Sequence, residues 1–177
     1  MPALLKQATL SDVLVRRGTL TKAQLLPYQR ESSQDNPRLS EALLADGLLT
    51  EPQLAEALAE QHGLPYHDLT GFRVDFAGFT DIAPEWMTRY GFVPLYVEDG
   101  LLLVAISNPR DLPLLDRIEK VLERPLRFVV AAKTAIHESV QASERSNRAI
   151  TKVQNEFRPV LVHENELRMA PAHHEAQ

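Results

Sequence analysis

The stretch 38-RLSEALLADGLLTEPQLAEALAEQ-61 aligns without a gap onto 9-TLSDVLVRRGTLTKAQLLPYQRES-32, at an offset of 29 residues. Nine of the 24 positions are identical: Leu10/Leu39, Ser11/Ser40, Leu14/Leu43, Gly18/Gly47, Leu20/Leu49, Thr21/Thr50, Gln24/Gln53, Leu25/Leu54 and Glu31/Glu60. These fall where structure restricts residue type, so the pair reads as an internal duplication. Each copy predicts a helix hairpin. In the second, Leu39, Ala42 and Leu43 share one helical face. Gly47 stands where a left-handed turn must end that helix. Thr50 then caps a new helix, with Gln53 three residues on and Pro52 in the first turn. Leu54, Ala57, Leu58 and Gln61 form one stripe, ended by Gly63 and Pro65. The first copy repeats this logic through Leu10, Val13, Leu14, Gly18, Thr21, Gln24 and Leu25.

Outward from the repeat the character changes. Of the eleven aromatic residues only Tyr28 precedes Gly63. Residues 64–80 read as a connector with a short extended piece, and Pro84 to Tyr90 as a short helix. Phe92–Val97 and Leu101–Ile106 flank Asp99-Gly100, which is a hairpin signal. The second run is apolar throughout, so a strand covered on both faces is expected there. A helix from Asp111 ends before Pro125, Leu126–Ala131 is a third strand, and Thr134 to about Glu144 a further helix that Ile150, Val153 and Phe157 could extend. The fold class expected is α+β: a four-helix unit made of two helix-hairpin repeats (1–63), a small three-stranded sheet with packed helices (64–144), and a C-terminal helix extension with a disordered tail (145–177).

Composition narrows the function. The chain has 177 residues, a net charge of −5 and no Cys. That excludes disulfides, thiol nucleophiles and Cys-ligated metals, and the acidic balance argues against DNA or RNA as a partner. No apolar run reaches 18 residues, so no spanning helix and no direct membrane insertion are expected. Met1 to Arg16 lacks a signal-peptide core, which makes the expected location cytoplasmic. No Gly precedes a Lys, so there is no phosphate loop. The dinucleotide, nucleophile-elbow and zinc-protease motifs are missing too. His62 and His67 flank a Gly-Pro turn and read as surface or cap residues. The pair His173-His174 lies in a tail that cannot preorganise a metal. Neither a catalytic constellation nor a cofactor is indicated, and a non-enzyme is expected.

The pattern Arg38-Leu39-Ser40, Gly47-Leu48-Leu49, Leu54, Leu58, Gln61 resembles the 24-residue tandem motif of the N-terminal, MshEN-type domain of type II secretion and type IV pilus assembly ATPases. Gly63-Leu64-Pro65-Tyr66-His67-Asp68-Leu69, Val93-Pro94-Leu95, Glu98-Asp99-Gly100 and Ser107-Asn108-Pro109-Arg110-Asp111 resemble the segments that follow it. The similarity covers about residues 9–142. It implies a regulatory domain without the ATPase core. In some relatives this domain binds cyclic di-GMP; in others it docks on an inner-membrane platform protein of the secretion or pilus machinery.

The resemblance makes Arg38 and Gln61 the polar contacts of a nucleotide site and Leu39, Leu54 and Leu58 its apolar ledge. Leu10, Leu25 and Asn108 complete the candidate set. An Arg guanidinium can bond or stack on guanine, and a Gln amide can both donate and accept at a base edge. The first copy departs from the motif at Thr9, Gln29 and Ser32, and Pro27 is expected to kink its second helix. Ser40 replaces a motif Gly, where its side chain could obstruct a close ligand. Two readings stand: a cyclic di-GMP site with an intact second repeat and a degenerate first, or a docking adaptor, recruited to the inner membrane by its partner, that binds no nucleotide.

Overall fold

A computed structural model describes residues 8–29, 37–79 and 82–156. The expected disorder of the tail, and Ser32, lie outside the described residues. The repeat folds as one hairpin made twice. In the first copy α1 (Leu10–Arg16) leads to α2 (Lys22–Gln29); in the second α3 (Pro37–Ala45) leads to α4 (Glu51–His62). The equivalence reaches single hydrogen bonds. At the first turn the Gly18, Thr19 and Leu20 amides donate to the Val15, Leu14 and Leu14 carbonyls at 3.0, 3.0 and 3.3 Å; at the second, the Gly47, Leu48 and Leu49 amides donate to Leu44, Leu43 and Leu43 at 3.1, 3.0 and 3.2 Å. Both glycines are left-handed, with φ of 72° and 68°, which is why a residue without Cβ recurs there.

Each second helix opens on a reciprocal cap. The Thr21 amide donates to Gln24 Oε1 at 2.9 Å and the Gln24 amide to Thr21 Oγ1 at 3.3 Å. Thr50 and Gln53 repeat this at 3.0 and 3.4 Å. These bonds satisfy helix-start donors that have no partner inside the helix. α2 carries Pro27 inside it and is helical through Gln29. The first hairpin packs on the second, α1 against α4. Arg16, the last residue of α1, and Arg17, which caps it, reach Glu60 of α4 at 2.5 and 3.0 Å, and Arg17 also pairs with Glu56. The two guanidiniums hold the Glu60 carboxyl below the usual glutamate range.

The sheet unit follows α5 (Pro84–Tyr90). β1 (Phe92–Glu98) pairs antiparallel with β2 (Leu101–Ile106) around Asp99-Gly100, where both residues have positive φ, 51° and 77°. That is the primed-turn geometry that suits strand twist. α6 (Leu112–Leu122) crosses over, so β3 (Leu126–Val130) lies parallel to β2, in the order β1-β2-β3. Five of the six residues of β2 are buried, as the apolar run predicted. α7 (Lys133–Glu156) is a single helix of 24 residues that packs against α5, β1 and β2.

Two apolar clusters form. The sheet cluster includes Met87, Phe92, Val104, Ile118 and Ile136. The helical cluster includes Leu10, Leu14, Leu25, Leu43 and Leu58, and it also takes in Val130 and Ala132 at the end of β3. The connector is pinned at this seam. The Val130 amide donates to the Pro65 carbonyl and the His67 amide to the Val130 carbonyl, both at 2.8 Å. Tyr66 thereby bridges to the outer edge of β3, which settles the helical repeat against the C-terminal end of that strand.

Candidate functional site

β2 and β3 run parallel, so their carboxyl ends lie side by side. The chain leaves β2 through Ser107, Asn108 and Arg110, and leaves β3 through Ala131 and Lys133. In sheets of parallel strands, ligands bind in the crevice outside those ends. Here the second helical repeat closes the crevice from the other side. The result is a cleft of about 320 Å³, walled by Ser40, Glu41 and Leu44 of α3, by Glu51, Leu54, Ala55 and Leu58 of α4, and by the five sheet-unit residues just named.

Local chemistry sets each polar group. Asn108 forms an Asx turn: its Oδ1 accepts from the Arg110 amide at 3.1 Å. An amide N–H can only donate, so the Asn108 oxygen is fixed toward the backbone. Arg110 reaches across and donates from Nη2 to Gln61 Oε1 at 2.6 Å. Glu51, in the first turn of α4, accepts from the Thr134 amide at 2.8 Å and the Thr134 hydroxyl at 2.7 Å. These three bonds, between Arg110 and Gln61 and between Thr134 and Glu51, tie the helical repeat to the sheet unit beside the cleft. The wall carries two cations, Arg110 and Lys133, and two carboxylates, Glu41 and Glu51.

The candidates from sequence separate into three groups. Leu54, Leu58 and Asn108 lie on the wall, and Gln61 is held by a wall residue. Leu39 is half-buried against the helical cluster, and Arg38 is exposed at the start of α3, neither of them on the wall. Leu10 and Leu25, each 1% exposed, are core side chains of the first repeat. They occupy the same motif positions as Leu39 and Leu54, but both are sealed inside the helical cluster and present no open face. Thr9, where the motif expects Arg, makes a capping box with Asp12 on α1. Ser40 does line the cleft, where the sequence placed an obstructing side chain.

Arg110, Lys133, Glu41 and Glu51 were not singled out from the sequence. The available signal was Ser107-Asn108-Pro109-Arg110, polar and turn-forming residues directly after a wholly apolar strand. Among the described residues no group of three or more His, Cys, Asp or Glu could hold a metal, and no helix is long and apolar enough to cross a membrane.

Comparison with known proteins bears on the family and the fold. The type IV pilus assembly ATPase PilB of Thermus thermophilus is 29% identical over 163 residues, 92% of this chain and 17% of the relative. PilB of Myxococcus xanthus is 26% identical over 132 residues, 75% of this chain and 23% of the relative. The chain thus spans about a fifth of the length of these relatives. A solved structure of MshE with cdg superposes with a TM-score of 0.62 at 27% identity, over 76% of this chain and 97% of that one. The N-terminal domain of XpsE shares the fold at a TM-score of 0.54 and 22% identity, over 75% of this chain and 91% of its own. The MshEN domain model matches residues 62–150, which hold the sheet unit and five of the twelve cleft-wall residues. With the α+β architecture and the duplicated hairpin, that match makes this chain a member of the MshEN domain family.

Proposed function

We propose that this chain is a non-catalytic regulatory domain that binds cyclic di-GMP in the cleft between its second helical repeat and the ends of β2 and β3. One observation carries the reading: an apolar ledge, Leu54 and Leu58, faces Asn108, Arg110 and Lys133 across a single crevice. The ledge takes a purine face or ribose; Arg110, steadied by its bond to Gln61, offers a guanine edge or phosphate its guanidinium charge, and Lys133 offers a phosphate a point charge. The likeness to MshE with cdg, read as cyclic di-GMP, supports the ligand. Leu39, Arg38 and Gln61 act from the rim, and Leu10 and Leu25 support the site from the core. Calorimetric titration of cyclic di-GMP into the purified protein tests this. Saturable heat that Arg110→Ala reduces at least about tenfold, the worth of one charge-assisted bond, is the expected result. No heat at millimolar ligand would end the proposal.

A second activity, docking on secretion or pilus machinery at the inner membrane, is favoured by Trp86. Its side chain is 42% exposed and lies edge-on to Tyr90, whose ring also carries Arg89 and Arg117 at 5.6 and 5.3 Å. Large aromatics and Arg at a surface are the usual anchors of a protein interface. Trp86→Ala should weaken capture of such a partner and leave the cyclic di-GMP titration unchanged; a variant that changes neither would remove this activity.

A further inference from the structure

We propose that Glu51 makes the cleft discriminate phosphodiesters from terminal phosphates, and so the cyclic dinucleotide from its linear hydrolysis product. The inference rests on the cyclic di-GMP reading above and adds to it the ligand's charge state. A phosphodiester carries one negative charge. A terminal phosphate carries about 1.5 to 2 at neutral pH. The linear product has the same two bases and nearly one more charge, placed on a freely rotating end.

Among the described residues the cleft wall itself offers no third cation for that charge. It holds Arg110 and Lys133 against Glu41 and Glu51. The further donors nearby, the Thr134 amide and hydroxyl in the first turn of α7, are held by Glu51 at 2.8 and 2.7 Å. A helix start of this kind attracts anions, and here a carboxylate of the chain itself occupies it. An arriving terminal phosphate meets a fixed negative charge and donors already bonded. A diester seated on Arg110 and Lys133 asks for neither. Glu51 is therefore a specificity-determining side chain that acts by repulsion, and such repulsive elements are how binding sites reject close analogues.

The experiment titrates cyclic di-GMP and linear pGpG separately into the wild-type chain and into Glu51→Gln. The Gln carbonyl still accepts from Thr134, so the tie between α4 and α7 is kept while the charge is removed. Wild type should bind the cyclic form about tenfold more tightly, the size of one unit repulsion across a partly wet cleft. Glu51→Gln should shrink that ratio to about threefold or less, mainly by tighter pGpG binding. The same ratio in wild type should shrink as sodium chloride rises from 50 to 500 mM, because screening weakens the repulsion; this arm needs no variant to fold. A ratio unchanged both by the substitution and by salt overturns the role of Glu51 while leaving the cyclic di-GMP site intact. No binding of cyclic di-GMP by wild type overturns the underlying reading and this one with it.

Discussion

Leu25 and Leu54 hold the same motif position in the two repeats, and the structure gives their truncation different consequences. Leu25 is 1% exposed within the helical cluster. Leu25→Ala removes buried carbons and leaves a void, at a cost of about 3 kcal/mol. For a chain of this size that lowers Tm by about 6–12 °C. Leu54 is half-buried and opens on the cleft. Leu54→Ala removes about half as much buried surface and leaves no sealed cavity, so its cost is about 1 kcal/mol and its Tm shift about 2–4 °C. Binding should rank the other way. Calorimetry at 15 °C, where both variants are folded, should find Leu54→Ala weakened several-fold for cyclic di-GMP and Leu25→Ala close to wild type. Differential scanning calorimetry on the same samples supplies the Tm values. Equal Tm losses would refute the burial asymmetry. Loss of binding in folded Leu25→Ala would refute the assignment of the ligand face to the second repeat alone.

Three further outcomes follow from the same geometry. Arg38→Ala should reduce cyclic di-GMP affinity less than Arg110→Ala, since Arg110 is on the cleft wall and Arg38 is not; isothermal titration of both variants checks the order, and the reverse order would return the site to the motif Arg. Gly18→Ala and Gly47→Ala should each cost about 1–2 kcal/mol, because both sites are left-handed and a Cβ meets nothing within 4 Å at either; urea unfolding that finds one of them neutral would break the equivalence of the turns. The Glu60 carboxyl is held low by Arg17 and Arg16, so its contribution is present above the unfolded value near about 4.3 and is lost as pH falls through the lower folded value. The stability gap between wild type and Glu60→Gln should therefore be open at pH 7 and close as pH falls below the ordinary glutamate range; a gap that does not change with pH would show the ion pairs to be inert.

What the sequence made legible is what local physics decides. Gly18 and Gly47 are needed because a turn must go left-handed within one residue. Thr21-Gln24 and Thr50-Gln53 are caps whose partners lie three residues apart. Asp99-Gly100 is a two-residue turn between apolar runs. In each case the interacting atoms sit a few positions apart, so the residue types alone are enough. The cleft is different. Arg110 meets Gln61 across 49 positions and Glu51 meets Thr134 across 83. Both meetings depend on β2 and β3 being parallel, which no single residue announces. The same limit explains Leu10 and Leu25. Their spacing matches Leu39 and Leu54, yet which leucine face stays open depends on which hairpin packs on the other.

That packing also gives the degenerate first repeat a physical rationale. Helices of seven and eight residues are too short to persist alone, so one hairpin must bury its leucines to hold the other. The first does so, and Thr9 serves that task by capping α1: its hydroxyl accepts from the Asp12 amide at 3.2 Å while its own amide donates to Asp12 at 3.1 Å. An Arg there would match the second repeat in sequence and lose the cap. Thr9→Arg should therefore lower stability by about 1 kcal/mol, or Tm by about 2–4 °C, and leave cyclic di-GMP affinity where it was, because the Leu10 face behind it is closed. Thermal melting and titration of that one variant decide between two histories of the duplication. If restoring the Arg tightens binding, the first repeat is a site that lost one residue. If it only loosens α1, the first repeat is the support on which the second presents its face to the ends of β2 and β3.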